Sequence, residues 1–274
     1  MSPVKEPAFF AFKDMERIPT IKGLLEAPSY SYSWEGYCEL FQGASEELRG
    51  EASAFYLYFP EAPRRIYEYI PNSKLIAILR NPVERAFSQY LLYSRDGAIK
   101  NQSFADALTM EENSSAKPAE AHFLHYKKYG LYAEQLRRYF EVFNKDQLRV
   151  YLHEDLVTHP RAVTEDVLRF LGADTGYLPR QFAQFNPGSG NLRYEKLWRA
   201  VSAIARHKYT KTLVPDRLRK SVSERIRDWK RQAMKPTARP VMDHTIKESL
   251  VDYYRDDILE LQELIGRDLS QWLD

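Results

Sequence analysis

Lys74-Leu75-Ile76-Ala77-Ile78-Leu79-Arg80-Asn81-Pro82-Val83-Glu84-Arg85-Ala86-Phe87-Ser88-Gln89-Tyr90 is the stretch on which the fold turns. Its first six residues form a short apolar run, the pattern of a strand buried on both faces of a parallel sheet. The run ends at Arg80, and a helix start follows. Asn81 is a good N-cap, Pro82 sits at the first helical position, and Glu84 is placed to close a capping-box-like arrangement. The helix is expected to continue through Ala86, Phe87, Tyr90 and Leu91.

Working outward, the same alternation repeats. A helix is expected over about 130–143, with Leu131, Leu136, Tyr139 and Phe140 as its apolar stripe. Gln147-Leu148-Arg149-Val150-Tyr151-Leu152 reads as a second strand. A helix over roughly 162–171 stops at Gly172. Strand-helix alternation argues for an α/β fold with a parallel sheet. Residues 1–70 mix short aromatic runs with turn residues, and 179–190 form a Pro/Gly-rich loop. The last segment carries Ile246, Leu250, Tyr253, Ile258, Leu261 and Leu264 at near-helical spacing, then Leu269 and Trp272, and is expected to pack as a closing helix.

Composition bounds the function classes. At 274 residues with 44% hydrophobic and 28% charged residues, the chain can build a real core, and one compact domain over 1–274 is expected. Forty Lys+Arg against 38 Asp+Glu give a net charge of +2, which does not suggest a general nucleic-acid binder. The lone cysteine, Cys38, rules out an internal disulfide and favours a reducing compartment; as a side chain it reads as a small buried hydrophobe. No apolar run approaches membrane-spanning length, so a cytoplasmic protein is expected.

The chemistry concentrates at the strand-to-helix junction. Arg80 stands at the carboxyl end of a strand, where open α/β sheets bind ligands. A guanidinium there can take a phosphate with two parallel charge-assisted hydrogen bonds. The helix start beside it offers N–H groups and a dipole that favour an anion. Ser88 lies about two helical turns past Asn81 and projects toward the same side. Arg80 and Ser88 can therefore clamp a phosphate monoester. The plain alternative is an arginine that ends a strand and a serine in a packed helix.

The whole string 74–90 resembles the 3′-phosphate-binding segment of sulfotransferases that use 3′-phosphoadenosine 5′-phosphosulfate (PAPS). Other blocks resemble the same family in the same order. They are Lys5-Glu6-Pro7-Ala8-Phe9-Phe10, Gly50-Glu51-Ala52-Ser53, Ala62-Pro63-Arg64-Arg65-Ile66, Tyr129-Gly130-Leu131-Tyr132, His153-Glu154-Asp155-Leu156 and the Asp268–Trp272 ending. The resemblance covers nearly the whole chain. It implies a three-layer, P-loop-NTPase-like parallel sheet flanked by helices. It also implies PAPS as donor co-substrate, with Arg80 and Ser88 on its 3′-phosphate, and no metal. Glu6 would be the general base for a hydroxyl acceptor (small molecule, lipid or glycan), with Lys5 beside it. Arg193, near the Gly-rich loop, is a further candidate phosphate ligand.

The chain departs from the family pattern in three places. Ala8 and Ala11 stand where some glycan sulfotransferases carry His and Asp, which gives no support for a heparan-like acceptor. Ala52 replaces a Lys. The 5′-phosphosulfate loop and the strand before it have no counterpart ahead of Lys5, so the sheet is expected to lack its first strand. A non-catalytic remnant that binds 3′-phosphoadenosine nucleotide or a partner without turnover is therefore the alternative. A nucleotide kinase is disfavoured by the absence of a Gly-Lys-Ser/Thr loop. Of the remaining features, Tyr30, Tyr32, Trp34, Tyr37 and Phe41 line either a core or an acceptor cleft. His122 and His125 are spaced for a metal but lack partners. His153 reads as a turn residue. The 206–239 run, with 12 Lys/Arg against 3 Asp/Glu, is either a solvated face or a surface that steers anions.

Overall fold

The computed structural model describes residues 1–13, 33–96, 102–114, 125–176, 178–179, 182 and 240–274. In chain order the described elements that matter here are α1 (Phe9–Phe12), α2 (Trp34–Glu39), α3 (Phe55–Tyr58), α4 (Ala62–Tyr69), β1 (Leu75–Leu79), α5 (Pro82–Asp96), α6 (Phe104–Glu112), α7 (Tyr132–Phe140), β2 (Leu148–Leu152), α8 (His153–Thr158), α9 (Pro160–Leu171) and α10 (His244–Ile265). The chain divides into two units. The first comprises Met1–Phe87, Ser103–Ala183 and His244–Asp274; the second comprises Ser88–Gln102 and Gln184–Asp243. In the second unit, the later turns of α5 are described, and the Tyr90 hydroxyl donates to the Gln102 carbonyl at 2.9 Å.

In the first unit β1 and β2 pair in parallel, Leu75 opposite Leu148 through Leu79 opposite Leu152. A parallel pair needs a long crossover, and the helices between 82 and 140 supply it. Side chains alternate across this sheet. Leu79, Leu148 and Leu152 bury one face. On the other, Tyr151 donates to Asp166 of α9 at 2.6 Å, and Arg149 lies over the Phe170 ring at 4.8 Å. The expectation of a strand buried on both faces is corrected for β1. Ile76 and Ile78 of that second face are 37% and 53% exposed. The reason is geometric: α9 meets this face through Asp166 at Tyr151 and Phe170 at Arg149 of β2 and at Lys74 just before β1.

The expected helices are present with shifted ends. The helix expected from 130 begins at Tyr132, after a 3-10 turn over Lys128–Gly130. The helix expected from 162 begins at Pro160 and stops at Gly172, whose φ of 77° suits glycine. In α10 the buried stripe is Leu250, Val251, Tyr254, Ile258 and Leu261. Tyr254, not Tyr253, faces the core; Tyr253 is 39% exposed and carries the Lys127 ammonium over its ring at 4.0 Å. Asp257 of α10 accepts from the Ala133 amide at 3.1 Å and so caps α7. Leu269 and Trp272 are buried, as the closing segment required.

The N-terminal segment is the second core. Phe9, Phe10 and Phe12 of α1 are fully buried. Phe9 stacks on Tyr37 with ring centroids 5.2 Å apart, and Trp34 packs on Tyr69 at 4.5 Å. Each buried ring contributes about 1.5–3 kcal/mol. Trp34, Tyr37 and Phe41 thus pack against one another and against Phe9; Tyr30 and Tyr32 lie outside the described residues. Cys38 is partly exposed on α2 rather than buried, because the buried side of this short helix is taken by Tyr37.

Candidate functional site

The junction after β1 is built as the sequence implied, with two corrections. Asn81 caps α5: its side-chain oxygen accepts from the amides of Val83 (3.0 Å) and Glu84 (3.2 Å), and its carbonyl accepts from Arg85 at 2.9 Å. The first correction concerns the anion cradle. Pro82 has no N–H, and these caps occupy the next amides, so an anion here meets the helix dipole and the Arg80 side chain rather than open first-turn donors. The second concerns Glu84. It does not close a capping box; its carboxylate instead faces the Arg80 guanidinium at 3.4 Å. The Asn81 amide goes to Glu154 Oε1 at 3.4 Å.

That partner follows from the sheet register. Leu79 is opposite Leu152, so two residues on, Asn81 is opposite Glu154 at the start of α8. The His153-Glu154-Asp155 block therefore supports the junction from the neighbouring strand. His153 begins α8 rather than a loose turn. Tyr132, at the start of α7, is buried, and burial raises its pKa. Gly130 fits between α5 and α10 because it lacks a side chain: a Cβ there would come within 2.7 Å of Tyr254 and 2.8 Å of Pro82. These contacts fix the backbone of Arg80 and leave its side chain 30% exposed. Ser88 is half-buried on α5. Arg193, the 187–190 loop, His122 and the 206–239 run lie outside the described residues.

Lys5 and Glu6 come together in the N-terminal segment of the first unit. Their side chains lie 3.8 Å apart, Lys5 85% and Glu6 35% exposed. Glu6 and Ala8 both have φ of 52°, a left-handed conformation that residues with a Cβ seldom adopt. Two separate sequence blocks hold this segment there. The Ala8 amide donates to the Ser53 hydroxyl at 3.0 Å, and Ser53 donates to Glu51 at 2.8 Å. Arg65 donates to the carbonyls of Phe10 (3.1 Å) and Ala11 (3.2 Å), closing the carboxyl end of α1. Burial raises the Glu51 pKa above the ordinary carboxylate range, and the Glu6 charge adds to the rise. Ala8 and Ala11, where some glycan enzymes carry His and Asp, are buried at 0% and 1%.

Other candidate residues have structural roles. His125 is buried, with Nδ1 in short contact with the Tyr58 hydroxyl. Glu111 accepts from the amides of Tyr126, Lys127 and Lys128 at 2.6, 2.7 and 3.0 Å. Among the described residues no group of three His, Cys, Asp or Glu is placed to hold a metal ion. None of the described helices is long and apolar enough to cross a membrane.

Sequence reasoning missed Glu51, Ser53 and Glu154 as supports. All three stand in blocks of family resemblance that carried no role. Glu154 could have been placed by aligning the two strands in parallel.

With this geometry in place, comparisons with known proteins converge. The profile of the sulfotransferase family matches residues 44–176. Curated relatives include a mouse bifunctional heparan sulfate N-deacetylase/N-sulfotransferase 4, 27% identical over 89% of this chain and 26% of its own length. The Xenopus tropicalis N-deacetylase/N-sulfotransferase 1 is 29% identical over 81% of this chain and 23% of its own length. The chain thus spans about a quarter of the length of the curated relatives it matches. Among solved structures, a sulfotransferase from Alicyclobacillus acidocaldarius superposes with a TM-score of 0.67 at 27% identity, over 100% of this chain and 87% of that one.

Proposed function

We propose that this chain, a member of the sulfotransferase family, transfers a sulfuryl group from PAPS to a hydroxyl or amino group of a glycan acceptor. The observation that carries the donor half is the junction: a partly exposed side chain, Arg80, beside a backbone held by Asn81 and Glu154. Arg80, with Ser88 further along α5, takes the donor's 3′-phosphate. Arg193 is a further donor contact in this reading. The glycan acceptor is supported by the relatives, which are named for heparan sulfate. It is not heparan-specific through positions 8 and 11, because two buried alanines offer no contact there. A cytoplasmic, single-domain enzyme goes with this reading.

Sulfuryl transfer leaves the protein little covalent work, so positioning and electrostatics carry the rate. The acceptor oxygen or nitrogen attacks sulfur in line. One S–O or S–N bond forms, the bond from sulfur to the phosphate oxygen breaks, and 3′-phosphoadenosine 5′-phosphate leaves. Glu6 takes the acceptor's proton, a role worth about 10²–10⁴-fold. The Lys5 ammonium, 3.8 Å from that carboxylate, supplies positive charge for the transferring group in this reading.

Calorimetry with Arg80→Ala tests the donor half. Affinity for 3′-phosphoadenosine 5′-phosphate falls at least about tenfold while 5′-AMP binding is hardly changed. Equal loss for both ligands makes Arg80 structural. Labelled PAPS with glycan acceptors tests turnover. Binding without transfer by the wild-type chain would replace this reading with a nucleotide-binding, non-catalytic one.

A further inference from the structure

A second carboxylate, Glu51, feels the Glu6 charge and is joined through Ser53 to the backbone two residues past Glu6, and the proposed reaction uses only Glu6. Glu51 is half-buried, receives the Ser53 hydroxyl at 2.8 Å, and lies close enough to Tyr37 and Tyr56 for its charge to raise both phenols. The Ser53 oxygen has one further described partner, the Ala8 amide at 3.0 Å. Ala8 is the left-handed residue that turns the chain from Glu6 and Pro7 into α1. On the far side, the phenyl rings of α1 are buried and Arg65 holds its last carbonyls. The turn carrying Glu6 is thus gripped at both ends: on the Glu6 side the Ser2 amide donates to the Gly50 carbonyl at 2.7 Å, and the bond nearest the turn is the one to the Ser53 hydroxyl. A strained turn persists only where its surroundings over-determine it.

We infer that Glu51 is a positioning residue: through the Ser53 hydroxyl it holds the Ala8 amide, and so sets the turn that presents the Glu6 carboxylate. The inference rests on the reading of Glu6 as the base, but the hold itself is independent of that reading. Glu51 serves as a hydrogen-bond acceptor in this role, so a neutral amide in its place still accepts from Ser53, whereas a methyl group does not. Likewise Ser53→Thr keeps the hydroxyl and Ser53→Ala removes it. A base displaced by an ångström loses rate rather than donor affinity.

The experiment compares Glu51→Ala and Glu51→Gln, Ser53→Ala and Ser53→Thr in the full chain, with two readouts. The first is hydrogen exchange of the Ala8 amide by NMR. It is expected to speed at least tenfold in both alanine variants and to stay near wild type in Glu51→Gln and Ser53→Thr. The second is transfer kinetics, in which kcat falls at least tenfold in the alanine variants, with affinity for 3′-phosphoadenosine 5′-phosphate within twofold and recovery in the conservative pair. Ser53→Cys, a weaker acceptor of the same size, replaces Ser53→Ala if that variant does not fold. Unchanged Ala8 exchange on loss of the Ser53 hydroxyl overturns the proposal. So does Glu51→Gln losing as much as Glu51→Ala, since that would make the charge and not the hydrogen bond the working part. If the wild-type chain transfers no sulfuryl group, the functional reading fails, and the exchange readout still decides the hold.

Discussion

The Arg80 guanidinium faces the Glu84 carboxylate at 3.4 Å, one helical turn apart in sequence. Any anion that docks on Arg80 meets this carboxylate as a neighbour. Glu84→Gln therefore strengthens binding of 3′-phosphoadenosine 5′-phosphate. Both groups are partly exposed, so the effect is that of a screened surface pair, about 0.2–1 kcal/mol, or up to about fivefold. Titration calorimetry at low and high salt checks it, and the gain shrinks as salt rises. Weaker binding in Glu84→Gln would show that Glu84 orients Arg80 rather than competing for it.

Asn81 satisfies two amides of α5 with one side-chain oxygen. Asn81→Ala removes both bonds and is expected to cost about 0.5–2 kcal/mol in urea unfolding, whereas Asn81→Asp retains most of the stability. Nucleotide affinity should fall with Asn81→Ala as well, because the cap and the Arg80 backbone are adjacent. A variant as stable as wild type would mean that water replaces the cap.

Gly130→Ala places a methyl group into Pro82 and Tyr254. Two of the atoms it meets belong to a buried aromatic ring wedged against α7 and the Lys127 carbonyl, so little can give way. Overpacking of this kind costs about 1–3 kcal/mol. Thermal unfolding measures it, and Tyr254→Leu in the same chain should restore part of the loss.

Glu51 provides the pH dependence. Burial raises its pKa above the ordinary 4.5, and the Glu6 charge adds to the rise. The folded state therefore holds this proton more tightly than the unfolded chain. The associated stability is fully present below the ordinary carboxylate range and is lost as pH rises through the raised value. Measured against Glu51→Gln, wild type should lose stability over that window, and Glu6→Gln should shift the Glu51 carboxyl titration downward, as followed by ¹³C NMR. No movement on Glu6→Gln would separate the two carboxylates.

The local code was legible where local physics decides. Both strands, the Asn81 cap, the stop at Gly172 and part of each apolar stripe (Leu136 and Tyr139; Leu250, Ile258 and Leu261) follow from residue patterns that act within a turn or two, while Leu131, Phe140, Ile246 and Leu264 are only partly buried. What was not legible depends on residues far apart in the chain. Glu154 meets Asn81 only because the strands run parallel in one register, and Ser53 meets Ala8 across 45 positions. Tyr254 was passed over for Tyr253 because both fall near the apolar stripe, and the choice is made by Gly130 on a different element. The burial expected for Ile76 and Ile78 failed for a related reason: an apolar run reports what a strand can bury, not what is placed on it.

Those two isoleucines have a practical consequence. Water touches them on a strand, which is the kind of surface that recruits other chains and hydrophobic dyes. Handling at high concentration will favour self-association through this greasy strip. Threonine at 76 and 78 would keep the extended backbone comfortable while making the preparation better behaved.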